Sequence, residues 1–362
     1  MVSISKCFSI GLLFLLSANL WAADVFYSSE QQLHDQSPGQ ILSASKRALS
    51  EVLIRVSGNR ELLRNKNIRM ALGVSDRYVQ QYSFAGYIKN DKGEQLQKYL
   101  FKFDMESVDS LLQRAGLPIW PIKRPPVLLW YLIEDSLGRR FLSPDEDSEV
   151  VEKIISIFKK RGLEIQFPLF DLEDASLVEM SDILRLDRFS IAKGGMRYDS
   201  VTILAGRLSQ LSDANWVSDS LYILNGQSYS VPGRDGDLAL LVESLADFAS
   251  IKMSAEYALQ ISEESAAGIT FYLGEINDFK NYAAALDYLE GIQAVKNANI
   301  EYISAGNAVF RIYFQGQMKQ FQQALALDGK LRLLEALPDE FVSHEPIKLT
   351  YRWPSTTELS DE

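Results

Sequence analysis

Residues 124–133 have the sequence RPPVLLWYLI, and this stretch decides the class of fold. The apolar run 127–133 is typical of a β-strand that is buried on both faces of a sheet. The two prolines before it do not fit a helix interior and indicate a hinge. Because a strand covered on both faces needs helices on each side, the sequence predicts a central α/β module over residues 123–262.

Further elements of this central module follow along the chain. Apolar spacing predicts a helix around residues 150–158, strands near 163–167 and 201–205, and a closing helix around 238–248. Asn225-Gly226 between two apolar runs predicts a tight β-hairpin. Gly194-Gly195 predicts the end of a helix, since glycine commonly follows the last helical turn.

Two smaller modules flank the central one. Residues 263–354 follow the order strand, helix, hairpin, helix, strand, which is the split βαβ plan of ferredoxin-like domains. Residues 23–122 follow the same plan with an inserted helix, and Leu117–Trp120 is expected to be their final strand. The predicted fold is therefore a multi-module α+β and α/β protein, with two ferredoxin-like modules around a central α/β module.

The first 22 residues have the features of an export signal. Lys6 precedes an apolar run, and small residues follow it, so we expect cleavage after Ala22 or after Ala23. The run is about half the ~20 residues that a membrane-spanning helix needs. Cys7, the single cysteine, would leave with the signal, as suits an oxidising compartment. We expect a periplasmic protein with no stable membrane span after cleavage and a disordered acidic tail at 355–362.

Overall charge argues against one class of partner. The chain has 37 Lys and Arg against 48 Asp and Glu, a net charge of -11, so we expect no nucleic-acid partner.

Catalytic patterns are scarce. His34 and His344 are the two imidazoles, and neither lies in a nucleophile–base–acid pattern. No phosphate-binding loop or metal-ligand spacing occurs in the sequence, so we expect no cofactor and no metal. Asp171 and Asp174, just after a predicted strand, are the weak catalytic candidates, because paired carboxylates can hydrolyse glycosides.

Three tryptophans were weighed as binding residues. Trp120, Trp130 and Trp216 are expected to anchor the packing of the modules, and a candidate partner groove could use one of them.

Three stretches together resemble a known family. They are Arg55–Asn59 with Leu62-Leu63, then 103–118 from Phe-Asp to Gly-Leu-Pro, then Arg124-Pro125 with Leu128 and Trp130. This combination is similar to the exported gammaproteobacterial family of unknown function numbered 2066. The resemblance implies a periplasmic protein of Gram-negative bacteria, and it implies no catalytic residues.

From these patterns we expect a non-enzymatic binding or scaffold protein of the cell envelope, with an envelope protein or peptide as partner. Two alternatives stay open, a carboxylate-dependent hydrolase of cell-wall glycan and a carrier of a small ligand or lipid. The oligomeric state is not fixed by the sequence.

Overall fold

The computed structural model describes residues 25–89, 93–212, 215–258, 268–304, 306–314, 316–334, 337 and 346–354. The chain forms two compact units. Unit 1 contains residues up to 115 together with 124–255, and unit 2 contains residues 116–123 together with 256 onwards. Within the described ranges there are ten α-helices and three β-sheets, so the fold is mixed α+β. The division into modules 23–122, 123–262 and 263–354 stays a prediction.

The first sheet of unit 1 has three strands in the order β1-β3-β2, and both pairings are antiparallel. Its strands are β1 (Ser28–Leu33), β2 (Val79–Lys89) and β3 (Gln95–Phe103). The predicted hairpin between β2 and β3 is confirmed, and Gly93 beside its turn has a φ of 78°. Phe101 and Phe103 of β3 are buried in the core below this sheet.

Helices cover one face of this sheet. They are α1 (Pro38–Ser57), α2 (Lys66–Leu72) and α3 (Met105–Arg114), with 3₁₀ turns at Arg60–Arg64 and Ser75–Tyr78. Gly58 ends α1 in the left-handed conformation (φ 76°), because glycine adopts this region without steric cost. The side chain of Asp104 caps α3 by accepting from the backbone N–H of Ser107.

The larger sheet of unit 1 follows the order β5-β4-β7-β8-β9, and β6 pairs with β4. Its strands are β4 (Val127–Asp135), β5 (Gly138–Phe141), β6 (Ile165–Gln166), β7 (Thr202–Ser212), β8 (Asn215–Leu224) and β9 (Gln227–Gly236). The apolar run on β4 is buried throughout, and β4 pairs in parallel with β7, as expected for a strand covered on both faces. The hairpin at Asn225-Gly226 is also confirmed.

Helices lie along this sheet at α4 (Ser148–Lys160), α5 (Leu172–Leu177), α6 (Met180–Arg185), α7 (Arg188–Met196) and α8 (Leu238–Tyr257). The helix end predicted at Gly194-Gly195 lies close to the observed one, since α7 ends at Met196, although both glycines are within the helix. A Cβ atom at Gly194 would come within 2.4 Å of Cγ2 of Val178 and 3.5 Å of the Trp130 ring. Close packing, and not a helix end, therefore explains this glycine.

Two arginines, Arg55 and Arg124, join the two layers of unit 1 at helix ends; Arg55 is buried and Arg124 is half-buried. Arg124 donates from Nη2 to the carbonyl of Arg55 (2.8 Å), in the last turn of α1, and from Nη1 to the carbonyl of Arg161 (2.9 Å), just after α4. Arg55 in turn donates from Nε to the carbonyl of Lys160 (3.1 Å). The carbonyls at a helix C-terminus lack partners within the helix and carry partial negative charge, so two guanidinium groups satisfy both ends.

Unit 2 contains a five-stranded sheet in the order β11-β12-β10-β14-β13. Its elements are β10 (Ile269–Gly274), α9 (Phe279–Gly291), β11 (Val295–Ser304), β12 (Asn307–Phe314), α10 (Met318–Asp328), β13 (Arg332–Leu333) and β14 (Leu349–Arg352). β10 pairs antiparallel with β12 and in parallel with β14. The aromatic core includes Phe271, Phe310, Phe321 and Trp353.

One predicted element changes place. Leu117–Trp120 does not complete the first sheet, because residues 116–123 belong to unit 2. There Ile119 and Trp120 are buried, and the backbone N–H of Ile122 donates to Oε1 of Gln293 at 3.2 Å. Burial of two large apolar side chains in this core favours the observed placement.

Some predictions concern residues that the structure does not describe. The signal segment 1–22 with Cys7, His344 and the tail 355–362 lie outside the described residues. Among the residues that are described, no helix combines the length and the apolar character needed to cross a bilayer.

Candidate functional site

Strand β2 forms one edge of the first sheet. It is eleven residues long, and among the described residues its strand partner is β3 alone. Residues 79–88 are uncharged, and almost every residue of β2 is exposed. An edge of this kind presents backbone N–H and C=O groups that can pair with a further strand.

A row of aromatic side chains stands on one face of β2. Tyr82, Phe84 and Tyr87 are 48%, 50% and 62% exposed. The Tyr82 ring stacks on Phe101 with centroids 5.7 Å apart, and Phe84 meets the edge of Tyr99 at 5.7 Å and Tyr87 at 5.0 Å. Phe101 and Tyr99 on β3 are buried, so this aromatic row, residues 82, 84 and 87, continues the apolar core face by one strand into solvent.

A bulge sets the direction of this row. The pairing of β2 with β3 shifts register between Phe84 and Gly86, and Gly86 has a φ of 121°. Most residues avoid this region, so the glycine permits the bulge. No described atom lies within 4 Å of the position that a Cβ at Gly86 would occupy, so the backbone here is accessible.

The other sheet edges of the described structure are short, or they contain proline, charge or capping side chains. At β1, Arg55 donates to the carbonyl of Ser28 (2.7 Å) and Arg47 to that of Gln32 (3.1 Å). β5, β6 and β13 have four, two and two residues. β9 contains Pro232, and β11 exposes Lys296 and Glu301. These features discourage strand addition, and β2 between residues 79 and 88 has none of them. Its pairing with β3 shifts register at two places, between Val79 and Gln81 and between Phe84 and Gly86.

The charge around β2 differs from that of the chain. Residues 76–102 contain five Lys or Arg and three Asp or Glu, a net charge of +2, whereas the whole chain carries -11. Lys98 lies opposite Gly86 and Lys102 opposite Gln81, on the face of the sheet away from the aromatic row. An approaching segment therefore meets an apolar side and a basic side.

The two candidate carboxylates, Asp171 and Asp174, come together at the start of α5, bridged by one guanidinium. Arg197 contacts Oδ1 of Asp171 at 2.6 Å and Oδ1 of Asp174 at 2.7 Å. Asp171 is partly exposed, and its Arg197 hydrogen bonds lower its pKa below the usual value. Asp174 is buried and accepts from the Tyr198 hydroxyl at 2.6 Å.

These contacts account for both carboxylates structurally. Asp171 also caps α5 by accepting from the N–H groups of Glu173 and Asp174. Paired-carboxylate hydrolysis needs one acid that keeps its proton near neutral pH, and the lowered pKa of Asp171 does not suit that role. The catalytic assignment of the pair stays a prediction.

All three tryptophans of the candidate groove are buried. Trp120 and Trp130 are 1% exposed and Trp216 is 8% exposed. Trp130 meets the rings of Phe141 and Phe170 edge-on at 5.9 and 5.8 Å. The structure thus places them in packing positions, and the groove stays a prediction.

The remaining chemistry is sparse in the described part. His34 is exposed after β1. No group of three or more His, Cys, Asp and Glu side chains there is arranged to hold a metal ion. Aromatic residues in predicted strands are typical of a sheet core, so the sequence alone does not mark Tyr82 and Phe84 as exposed. Their alternation beside the uncharged stretch 79–88 was the available signal.

One family model matches this chain. It is described as a domain of unknown function (DUF8605), and it matches residues 22–121. The resemblance to the family numbered 2066 is therefore wrong. Arg55, Gly58 and Arg124, on which that resemblance partly rested, serve helix ends, a need that many unrelated folds share. No curated protein matches the chain. The matched segment contains all of β1, β2 and β3.

Proposed function

We propose that this protein is a non-enzymatic binding or scaffold protein of the cell envelope, and that it holds a partner at strand β2. The observation that carries the proposal is an eleven-residue sheet edge, uncharged over residues 79–88, with the aromatic row along it. Strand addition to such an edge gives affinity through backbone hydrogen bonds, and side-chain contacts give specificity.

The aromatic row supplies apolar contact area. A Phe or Tyr side chain buries about 200 Å² when fully covered, and roughly half of each ring in the row is exposed. Covering the three exposed halves would remove about 300 Å² from water, a gross gain of about 7 kcal/mol. Association costs offset much of this gain, so the apolar contacts alone would give an affinity in the millimolar class at best, and backbone hydrogen bonds along β2 would add to it.

A periplasmic location is part of the proposal. It rests on the charged start, apolar run and small residues of segment 1–22. The family match begins at residue 22, so nearly all of the proposed signal segment lies outside it.

A finer description of the fold also belongs here. We infer that unit 2 is a variant of the ferredoxin-like plan, since β10-α9-β11-β12-α10-β13 has its element order, and β12 lies between β11 and β10. β14 lies between β10 and β13 and runs parallel to β10, which departs from the simple plan. We infer the same plan for the first sheet, where three strands support it and the fourth is absent from the described sheet.

The two alternatives have less support. Hydrolysis by Asp171 and Asp174 lacks a carboxyl with a raised pKa, as described above. A lipid carrier needs an apolar cavity of several hundred Å³. The cavity lined by Leu129, Tyr131 and Phe158 has a volume of about 10 Å³, about one water molecule, so it supports no such cargo.

Site-specific photo-crosslinking in the native cells tests the proposal. A photoreactive residue at Tyr87 should give a discrete crosslinked product in the envelope fraction. The same residue at Phe189, an equally exposed aromatic position on α7, is the control and should not give that product. Equal products from both positions, or none from Tyr87 across growth conditions, would contradict binding at β2.

A further inference from the structure

We infer that β2 takes an extended partner segment whose side chains alternate between apolar and acidic. This inference rests on the proposed function and names the chemistry of its partner. It follows from three properties of the edge: its backbone groups, the apolar side formed by the aromatic row, and the basic side formed by β3.

The backbone of β2 fixes the shape of the occupant. A strand added to a sheet lies about 4.8 Å from its neighbour, and its side chains alternate between the two faces. The open edge has the length of one strand, and its accessible backbone near Gly86 allows close approach. The occupant is therefore an extended segment, because a helix has no free backbone groups to pair with this edge.

One face of that segment lies beside the aromatic row. Tyr82, Phe84 and Tyr87 are between 48% and 62% exposed. β-branched or aromatic side chains pair well with aromatic neighbours across strands, each pair contributing roughly 0.2–1 kcal/mol. Every second residue of the segment is thus apolar.

The opposite face lies near two lysines. Lys98 and Lys102 belong to β3, which lies two strand spacings, about 10 Å, from an added strand. Gly86 lies between Lys98 and the edge, so the Lys98 side chain can lean outward, whereas Gln81 lies between Lys102 and the edge. Lys98 already pairs with Glu30 at 3.1 Å, an exposed pair of the kind that contributes little and can exchange. The remaining residues of the segment are therefore acidic.

A second copy of this chain fits the edge poorly. Residues 76–102 carry a net charge of +2, so antiparallel pairing of β2 with a second copy of itself would bring two positively charged segments together. In the register centred on Ser83, Lys89 at the end of one strand comes close to the 3₁₀ turn before the other strand, which contains Arg77. Like charges brought together in this way disfavour the pairing, so the charge pattern favours a different, acidic partner.

Three synthetic peptides as long as β2 test the inference on the full chain. Valine alternates with glutamate in the first, with lysine in the second and with serine in the third, and all have blocked ends. We expect the glutamate peptide to bind about tenfold tighter than the lysine peptide at low salt, from two or more screened charge pairs. The preference should shrink as salt rises. Fluorescence anisotropy with labelled peptides measures these affinities.

Protein variants separate the two sides of the edge. Phe84→Ala with Tyr87→Ala should weaken all three peptides, and Phe189→Ala is the matched control. Lys98→Gln with Lys102→Gln should remove the preference for glutamate and leave the serine peptide unchanged. Circular dichroism and thermal unfolding confirm that each variant folds.

The outcomes distinguish the inference from the proposed function. If the lysine or serine peptide binds as well as the glutamate peptide, and binding depends on Phe84 and Tyr87, the acidic specificity is overturned while the β2 site stands. If the aromatic variants bind every peptide like the wild type, or if no peptide binds and Tyr87 gives no crosslink, both fail. A dimer in sedimentation equilibrium that Phe84→Ala with Tyr87→Ala dissociates would replace the acidic partner with a second copy.

Discussion

Replacement of Arg124 by methionine should destabilise unit 1 strongly. Arg124 is half-buried, with its guanidinium 4.4 Å from the centre of the Phe26 ring. Its donors reach the carbonyls of Arg55 (2.8 Å), Arg161 (2.9 Å) and Gly162 (3.3 Å). Methionine has a similar length and no donor, so these carbonyls at the ends of α1 and α4 would lose their partner.

The magnitude follows from these bonds. A hydrogen bond from a charged donor contributes about 1.5–3 kcal/mol net. Burial lowers the pKa of Arg124 well below its usual value, so desolvation of the cation offsets part of that sum. We expect a loss of about 3–5 kcal/mol, which corresponds to a decrease in Tm of about 10 °C for a unit of this size.

Thermal unfolding followed by circular dichroism, together with urea titration, measures this loss. Arg124→Lys keeps the charge but not the forked donor geometry and should lie between the wild type and Arg124→Met. Arg64→Met, at a guanidinium that is 83% exposed, is the matched control and should change the Tm by less than about 1 °C. If Arg124→Met lowers the Tm by no more than this control, the account of how the two layers are joined is refuted.

Three further predictions test other parts of the structure. Gly206→Ala should cost about 2–3 kcal/mol of unfolding free energy, because its Cβ would lie 2.2 Å from the backbone oxygen of Asp219. Gly39→Ala is the control and should not lower the unfolding free energy, because its Cβ would meet no atom within 4 Å. Because the Arg197 hydrogen bonds lower the pKa of Asp171 below 3.8, its stabilisation is present above that pH and is lost as pH falls through the lower folded pKa. Urea unfolding from pH 7 to 3 should therefore decline less steeply for Asp171→Asn than for the wild type. Phe84→Ala should lower the Tm by only a few degrees, since half of the residue is exposed. Phe101→Ala in the same sheet should cost about 3–5 kcal/mol of unfolding free energy, because Phe101 is buried.

Local signals predicted much of the fold. The apolar run 127–133 became the buried strand β4, and Asn225-Gly226 became a hairpin, because both patterns act over a few residues. The reason for a glycine at position 194 was not predictable from local sequence. A side chain there would collide with Val178 and contact Trp130, which are distant in sequence. The placement of Leu117–Trp120 in unit 2 was likewise not predictable from local sequence, because it depends on contacts with residues far along the chain that bury Trp120.

The candidate site was harder to predict, because an edge is defined by what does not pair with it. The sequence of β2 predicts a strand, and Tyr82 and Phe84 alone look like core residues. Their exposure became apparent when the sheet order placed β2 outermost and the helices covered β1 and β3. The Asp171–Arg197 bridge also joins residues 26 positions apart, a pairing that spacing does not indicate.

Amide hydrogen exchange over residues 79–88, with and without the valine–glutamate peptide, tests the open edge most directly. In the free chain, the account predicts faster exchange across β2 than across the central strand β3, because the amides of β2 that point outward have no strand partner. The peptide should slow exchange in β2 and leave α7 unchanged. Free-chain protection of β2 equal to that of β3, or peptide protection confined to other elements, would contradict the account.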